Sequence, residues 1–172
     1  MTSYRAPAGT GIGHVHLKVS DLDRAVRFYE DVLGFALQLR VGDQAAFLGA
    51  PMPDGSGHYH HHIGLNTWES RGAGPPERGR TGLFHAAILY PDRPALGAAV
   101  RRVLEAGVRL SGASDHGVSE AVYLDDPDRN GLELYRDRPP ADWPRDERGA
   151  LAMFTAPLDV AALVATAPEA TT

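Results

Sequence analysis

Apolar and polar residues alternate along residues 11–19, and this period of two predicts a β-strand with one buried face. The other face carries three polar side chains, His14, His16 and Lys18. Apolar side chains then recur at helical spacing through residues 22–33, until Gly34 ends the predicted helix. Three further short strands are predicted at residues 35–41, 44–48 and 60–66. The first part of the chain therefore has the order βαβββ.

The second part of the chain repeats this order. Residues 82–90 form the predicted strand, Pro94 suits a first helical turn, and Gly107 stops the helix. The buried stripe of this helix consists of Leu96, Val100, Val103 and Leu104. Strands follow near residues 108–110, 120–124 and 131–135. The repeat predicts an α+β fold of two βαβββ modules, and it places His14 and His85 at equivalent positions.

We expect a single domain over residues 1–136, followed by an extension. Within the domain, module 1 covers about 11–68, an exposed linker rich in glycine, proline and arginine covers 69–81, and module 2 covers about 82–136. The extension over residues 137–172 is rich in proline at its start and has a short predicted helix at 159–165. We expect this extension to pack on the domain or on a partner subunit, and the sequence is compatible with a homodimer.

The composition narrows the classes of function. The chain has 172 residues, a net charge of −5 and no run of basic residues, which argues against nucleic acid as a partner. It has no apolar stretch long enough to cross a membrane, so we expect no membrane partner and a cytoplasmic location. Because the chain has no cysteine, disulfides and thiolate metal sites are excluded.

Two imidazoles at equivalent positions of a repeat indicate a symmetric site between the modules. The carboxylate of Glu133, late in module 2, completes a set of two His and one Glu, which is the ligand set of a facial-triad metal site. A lone strand histidine is more often an ordinary polar residue, but the repeat and Glu133 together favour metal binding. The run of His58, His60, His61 and His62 also fits a metal-scavenging surface tract.

Four segments of the chain resemble the vicinal oxygen chelate superfamily, which includes glyoxalase I, bleomycin-resistance proteins and type I extradiol dioxygenases. The segments are residues 12–15 (IGHV), 19–22 (VSDL), 28–35 (FYEDVLGF) and 126–135 (DPDRNGLELY). The resemblance covers residues 11–136. It implies two modules side by side, whose sheets curl into an open barrel around one divalent metal, with His14, His85 and Glu133 as ligands.

Position 64 separates the branches of this superfamily. The repeat aligns Gly64 with Glu133, and glyoxalase I and related isomerases carry a carboxylate or comparable ligand at that position. Gly64 provides no ligand, which leaves the open coordination sites that an extradiol dioxygenase needs for a catecholate and dioxygen. His62 could replace the missing ligand if the strand is bulged, and that alternative favours a metal-dependent isomerase or lyase.

Further matches to type I extradiol dioxygenases indicate catalytic residues. His61 lies three residues before Gly64, where the resemblance places an acid–base histidine. His116 lies in a His-Gly-Val-Ser loop, and Tyr123 lies ten residues before Glu133. The resemblance implies that both side chains face the substrate. The alternatives are an ordinary loop histidine and an ordinary strand tyrosine.

The resemblance thus implies an Fe(II)-dependent extradiol dioxygenase that acts on a catechol-like aromatic compound and O2. Fe(II) is the expected cofactor, and Mn(II) or another divalent cation is the alternative. The other functions left open are the isomerase or lyase and a binding protein that sequesters a small aromatic compound.

Strict alternation puts His60 and His62 on the face of Gly64, so a role for His61 requires an irregular strand between residues 61 and 64.

Overall fold

The computed structural model describes residues 4–77 and 79–169, and its first half folds into a four-stranded sheet with one helical segment. The strands are β1 (Val15–Lys18), β2 (Ala36–Val41), β3 (Ala45–Gly49) and β4 (Ile63–Asn66). Their order in the sheet is β1-β4-β3-β2, and only the pair of β1 and β4 is parallel. Helix α1 (Leu22–Arg27) and a π-helical turn (Phe28–Val32) connect β1 to β2.

The second half repeats this arrangement and adds one strand. The repeated strands are β5 (Ala86–Leu89), β6 (Leu110–Asp115), β7 (Ser119–Asp125) and β8 (Gly131–Asp137), with helix α2 (Arg93–Glu105) after β5. A last short strand, β9 (Ala156–Pro157), extends the sheet to the order β5-β8-β7-β6-β9. The predicted α+β fold of two βαβββ modules with open, mixed sheets is confirmed.

Polar residues before each helix explain where it begins. Asp21 caps α1 by accepting a hydrogen bond from the Arg24 amide, and Asp92 caps α2 in the same way. The helix predicted over residues 22–33 is confirmed in position, although its second half widens into the π-helical turn. Gly34 then adopts a φ of 77°, a conformation that favours glycine, and the chain turns into β2.

The first strand of each module is shorter than the alternation pattern indicates. The predictions of strands over residues 11–19 and 82–90 are wrong at their ends, because β1 and β5 each cover only four residues. Both are edge strands, and their single ladder partners, β4 and β8, give the earlier residues no backbone partner. His14 and His85 therefore each lie immediately before an edge strand.

Two further predicted strands differ from the structure. The strand predicted at residues 60–66 is confirmed only from Ile63, since residues 60–62 are irregular. The strand predicted near residues 108–110 is wrong, because β6 begins at Leu110 and continues to Asp115. This strand has a ladder partner on both sides, β7 and β9, and β9 comes from the distant C-terminal part of the chain.

The two modules share one hydrophobic core, and buried polar contacts join them. The hydroxyl of Tyr29, in the π-helical turn, donates to Asp126 over 3.1 Å, and both residues are buried. Asp128, in the same loop as Asp126, accepts hydrogen bonds from the amide and the hydroxyl of Ser20 and from Arg24, at 3.0, 2.6 and 2.7 Å. The loop between β7 and β8 thus fixes module 2 against the helical segment of module 1.

The chain after β8 packs on module 2. Strand β9 pairs with β6, and helix α3 (Val160–Val164) lies on α2 at Gly97, where a Cβ atom would come within 2.5 Å of the Leu163 carbonyl oxygen. The short helix predicted at residues 159–165 is confirmed. Among the described residues, none of the helices is long and apolar enough to cross a membrane.

Candidate active site

Module 2 brings together two of the three predicted ligands. His85 precedes β5, and Glu133 lies in β8, the strand that pairs with β5 in parallel. The Nε2 atom of His85 is 2.9 Å from Oε2 of Glu133, and the two side chains are 31% and 13% exposed. The other ring nitrogen of His85 is buried, and it has no hydrogen-bond partner in the part of the chain that the structure describes. Both side chains are therefore largely shielded from water, and the His85 ring remains partly exposed.

Tyr123 lies directly opposite Glu133 in the ladder between β7 and β8. Its hydroxyl oxygen is 3.2 Å from Oε1 of Glu133 and 2.8 Å from Nε2 of His116. Burial and then the Glu133 carboxylate raise the pKa of Tyr123 to about 12, so the phenol keeps its proton near neutral pH. The hydroxyl donates to Glu133 and accepts from His116, which assigns the proton of neutral His116 to Nε2.

The C-terminal part of the chain contacts the other side of the His116 ring. Nδ1 of His116 is 3.2 Å from the Thr155 hydroxyl and 3.2 Å from the Phe154 carbonyl oxygen. When Nδ1 carries no proton, the Thr155 hydroxyl can donate to it; when it is protonated, it can donate to the carbonyl of Phe154. The His116 ring therefore has a hydrogen-bond partner at each of its two nitrogens. Sequence reasoning missed Thr155 and Phe154, because no local signal links them to a loop almost 40 residues earlier.

The third predicted ligand, His14, lies immediately before β1 in module 1. The ring centroid of His14 lies 4.5 Å from that of His61, and the His61 centroid lies 5.1 Å from that of Phe47. Burial and then the neighbouring imidazoles, with His14 first, lower the pKa of His61. The lowered pKa favours the neutral ring, which is the form that can accept a proton.

His61 and His62 make different contacts although they are neighbours in the chain. Because β4 begins only at Ile63, the irregular backbone lies at residues 60–62, before the strand, and His61 packs on His14. His62 instead accepts a hydrogen bond at Nδ1 from the Ala50 amide, at 3.2 Å, and its ring packs near the core residue Phe35. These contacts do not favour His62 as a fourth metal ligand.

The small residue at position 64 is explained by its neighbour on β1. His16 pairs with Gly64 in the ladder between β1 and β4, and a Cβ atom at position 64 would lie 3.0 Å from the ring of His16. The equivalent pair in module 2 is Ala87 with Glu133. In module 1 the large side chain is therefore on the first strand, whereas in module 2 it is on the last strand. The ring of His16 therefore occupies the space beside Gly64 where a side chain on β4 would begin. The sequence contained this signal, because the repeat aligns both pairs.

The three predicted ligands have the chemistry that a divalent metal needs, but they do not form one site within the chain. Over residues 4–77 and 79–169, no group of three His, Asp or Glu side chains lies close enough together to hold one metal ion. His85 and Glu133 provide two donors on module 2, and His14 packs on His61 in module 1. The assignment of His14 as the third ligand stays a prediction.

The sequence of this chain is similar to a family model and to several known proteins. The family model described as Glyoxalase/Bleomycin resistance protein/Dioxygenase superfamily matches residues 11–134. A catechol-2,3-dioxygenase from Bacillus subtilis (strain 168) is 43% identical over 156 residues, which cover 90% of this chain and 51% of that protein. This chain therefore spans about half the length of that relative.

Two other proteins show how wide the similarity is. A lactoylglutathione lyase from Haemophilus influenzae is 33% identical over 73% of this chain and 91% of that protein. The crystal structure of a glyoxylase/bleomycin resistance protein/dioxygenase domain from Frankia sp. EAN1pec aligns with a TM-score of 0.60 and 25% identity, over 75% of this chain and 98% of that chain. The similar proteins thus include both a dioxygenase and a lyase.

Proposed function

This chain belongs to the Glyoxalase/Bleomycin resistance protein/Dioxygenase superfamily, and we propose that it is a metal-dependent extradiol dioxygenase, which opens the ring of a catechol-like aromatic compound with O2. The observation that carries the proposal is the series of contacts from His116 through Tyr123 to Glu133 and His85. It joins a pair of metal-type ligands to a tyrosine hydroxyl and a histidine, which are groups that can hydrogen-bond the oxygens of a catechol. The similarity to the B. subtilis catechol-2,3-dioxygenase supports the same class of reaction.

The metal-binding part of the proposal assigns His14, His85 and Glu133 as ligands. Two neutral imidazoles and one carboxylate suit Fe(II), and Mn(II) or another divalent cation is the alternative. When bound, a ferrous ion would supply a redox-active centre with open positions for the two oxygens of a catechol and for O2. Gly64 itself provides no ligand atom, which favours such open positions.

The proposal gives the remaining residues roles in proton transfer and substrate binding. His61, whose lowered pKa favours the neutral ring, is the proposed base that accepts a catechol proton and later returns it. Tyr123 keeps its proton, and its hydroxyl is proposed to donate to an oxygen of the substrate in place of Glu133 when substrate binds, with His116 proposed to hydrogen-bond the substrate beside it. An open depression beside Tyr123 has a volume of about 400 Å³ and is also lined by Phe84, His85 and Gly112. This is enough room for a flat aromatic ring.

A metal-dependent lyase or isomerase is the second candidate, because the H. influenzae lactoylglutathione lyase is 33% identical to the chain. On the resemblance given above, this function calls for a further ligand near position 64. His62 is engaged with the Ala50 amide, and the ring of His16 closes the space at Gly64. These contacts favour the dioxygenase over the lyase.

The test is oxygen uptake by protein that is loaded with Fe(II) without air and then given O2 and a panel of catechols. We expect one O2 to be consumed per catechol, with a ring-opened product that absorbs visible light. Glu133→Gln should lose this uptake, whereas Glu105→Gln, an exposed residue at the end of α2, should keep it. Absence of uptake across the panel, together with lyase activity on lactoylglutathione, would establish the second candidate.

A further inference from the structure

The turn between β7 and β8 contains an asparagine that is followed by a glycine, Asn130 and Gly131. Asparagine is labile in this setting, because the amide nitrogen of a residue without a side chain can approach and attack the side-chain carbonyl carbon. We propose that Asn130 is a site of spontaneous deamidation, that the folded turn restrains this reaction, and that the reaction weakens the contact between the two modules. The inference concerns the turn alone and does not depend on the proposed metal centre.

The reaction replaces the side-chain amide by a carboxylate. The Gly131 nitrogen forms a bond to Cγ of Asn130, the bond from Cγ to Nδ2 breaks, and ammonia leaves with the proton of the Gly131 amide. Water then adds to either carbonyl carbon of the resulting cyclic imide and opens it. The products are aspartate and isoaspartate at position 130, and the reaction needs no oxidant or reductant. Each product adds a negative charge to the turn at neutral pH.

Glycine is required at position 131 because the chain before β5 lies very close to it. A Cβ atom on Gly131 would lie 2.2 Å from the carbonyl oxygen of Phe84 and 3.4 Å from Cα of His85. These are backbone atoms, which cannot move aside as the end of a flexible side chain can. The fold therefore retains the residue that makes Asn130 labile.

The side-chain amide of Asn130 has two acceptors in the structure. Its Nδ2 atom donates to Oδ2 of Asp126 over 2.8 Å and to the carbonyl oxygen of Lys18 over 3.3 Å. The first hydrogen bond satisfies a buried carboxylate, and the second reaches from module 2 to β1 in module 1. An ionised aspartate could donate neither of these hydrogen bonds. The turn therefore needs the amide that deamidation removes.

Several contacts restrain the movement that the reaction requires. Attack on Cγ needs rotation of the Asn130 side chain and of the backbone between Asn130 and Gly131. The Asp126 amide donates to the Asn130 carbonyl oxygen over 2.9 Å, and the Asn130 amide donates to Oδ1 of Asp126 over 2.8 Å. Gly131 is also paired with Asp125 in the ladder between β7 and β8. Rotation would break these contacts, so the reaction proceeds mainly from states in which the turn is locally unfolded.

The product would bring a further carboxylate to two that are already buried. Asp126 and Asp128 are 4% and 8% exposed, and Arg24 contacts Asp128 at 2.7 Å. An oxygen would take the place of Nδ2, which lies 2.8 Å from Oδ2 of Asp126, and two ionised carboxylates at this distance repel each other strongly. Asp126 also accepts the hydrogen bond of Tyr29 from module 1. Displacement of Asp126 therefore weakens the contact between the modules.

The first experiment compares the rate of deamidation in the folded chain with the rate in the chain unfolded by guanidinium chloride. Peptide mapping by mass spectrometry measures both rates at mildly alkaline pH. The internal reference is Asn66, the other asparagine of the chain, which is followed by the β-branched Thr67. In the unfolded chain, we expect Asn130 to react faster than Asn66 by about tenfold or more. In the folded chain, we expect Asn130 to react about tenfold more slowly than in the unfolded chain, because hydrogen bonds have to break first.

Equal rates of Asn130 and Asn66 in the unfolded chain would overturn the assignment of a labile site. Equal rates of Asn130 in the folded and the unfolded chain would overturn the restraint by the turn. Tyr29→Phe removes a donor to Asp126 from the other module, so it should speed up the reaction of Asn130 in the folded chain by severalfold. Tyr90→Phe, which removes a hydroxyl without a partner among the described residues, should not. Equal rates in these two variants would overturn the link between the turn and the module contact.

The second experiment measures the consequence of the reaction with Asn130→Asp, which carries the product carboxylate from the start. We expect the urea concentration at the midpoint of unfolding to fall at neutral pH. The loss should become smaller in acid, because protonation of the carboxylates removes their repulsion. The control is Gln38→Glu, which makes the same change at an exposed position on β2 and should leave the midpoint nearly unchanged.

Aged wild-type protein provides the same measurement if Asn130→Asp does not fold when it is produced in cells. The deamidated fraction carries an additional negative charge, so ion exchange separates it from the intact fraction. We expect this fraction to unfold at a lower urea concentration than the intact fraction at neutral pH. Equal midpoints for the deamidated and the intact chain would overturn the inference that deamidation of Asn130 weakens the contact between the modules.

Discussion

Replacing Tyr29 by Phe tests whether the hydrogen bond between Tyr29 and Asp126 stabilises the packing of the two modules. The substitution removes one hydroxyl and leaves the ring in its fully buried position. That hydroxyl donates to Asp126 across the boundary between the modules. Burial raises the pKa of Tyr29 well above its ordinary value, so the group is a donor at every pH of interest.

The expected cost follows from the partners of Asp126. A hydrogen bond to a charged group contributes about 1.5–3 kcal/mol. In the variant, Asp126 keeps three other donors, namely the amides of Asp128 and Asn130 and the side-chain amide of Asn130. We therefore expect the lower end of this range, a loss of about 1.5 kcal/mol in the free energy of unfolding. For a chain of this length the melting temperature should fall by roughly 3–6 °C.

The loss in the free energy of unfolding caused by Tyr29→Phe should also depend on pH. Burial raises the pKa of Asp126 in the folded chain. The stability that comes from this raised pKa is present below about pH 4 and is lost as the pH rises through the raised value. Tyr29 donates to the ionised form of Asp126, so removing its hydroxyl should raise that pKa further. The loss of stability caused by Tyr29→Phe should therefore be larger at neutral pH, where Asp126 is ionised, than in acid below the pKa of Asp126.

The assay is urea unfolding followed by circular dichroism, with Tyr90→Phe as the matched control. The Tyr90 hydroxyl is buried, and it has no hydrogen-bond partner among the described residues. Its removal should therefore leave the free energy of unfolding within about 0.5 kcal/mol of the wild type or raise it. Equal effects of the two substitutions would refute the argument that Tyr29 and Asp126 join the modules.

The remaining predictions concern the candidate site. Tyr123→Phe removes the donor to Glu133, so we expect a 10- to 100-fold loss in metal affinity or activity. Mn(II) titration and oxygen uptake measure these losses, and unchanged values would contradict the role of this hydroxyl. In the metal-free protein, the absorbance at 295 nm of the wild type minus that of Tyr123→Phe reports ionisation of the Tyr123 phenol. We expect this difference to show no phenolate below about pH 11, because the pKa of Tyr123 is about 12. His61→Phe should keep the metal and still bind catechol but slow ring cleavage by roughly two to four orders of magnitude, whereas His62→Phe should cost much less. If His62→Phe releases the metal instead, His62 is a ligand and the lyase hypothesis gains support.

The order of the elements could be predicted from the sequence because local signals repeat along it. Caps such as Asp21 and the stop at Gly34 mark the first helical segment, and the alternation of side chains marks the strands. The ends of the strands could not be predicted, because they depend on ladder partners from distant parts of the chain. Strand β6 extends to Asp115 partly because Ala156, about 40 residues later, pairs with that residue.

The candidate site could be predicted in part. The spacing of Tyr123 and Glu133 around a tight turn fits a cross-strand pair, and the structure places them opposite each other. The partners of His116 in the C-terminal part of the chain carry no signal of their own in the sequence. Thr155 acts only through a tertiary contact, which a pattern of neighbours along the chain does not contain.

The placement of the metal site could not be read from the repeat. The equivalence of His14 and His85 in the repeat does not determine how close the two side chains lie in the folded chain. In the folded chain, contacts between the modules, such as that of Tyr29 with Asp126, set how the two histidines are placed. Such tertiary contacts carry no signal in the spacing of residues along the sequence.

The most direct test of the proposed function is the fate of oxygen atoms in the product. Protein loaded with Fe(II) is given a catechol that it turns over, under ¹⁸O₂, and the product is examined by mass spectrometry. An extradiol dioxygenase breaks the O–O bond and places both atoms in one ring-opened product, so we expect both ¹⁸O labels in that molecule. A product without label, or an intact catechol recovered after binding, would contradict the proposal that this chain is a ring-cleaving dioxygenase.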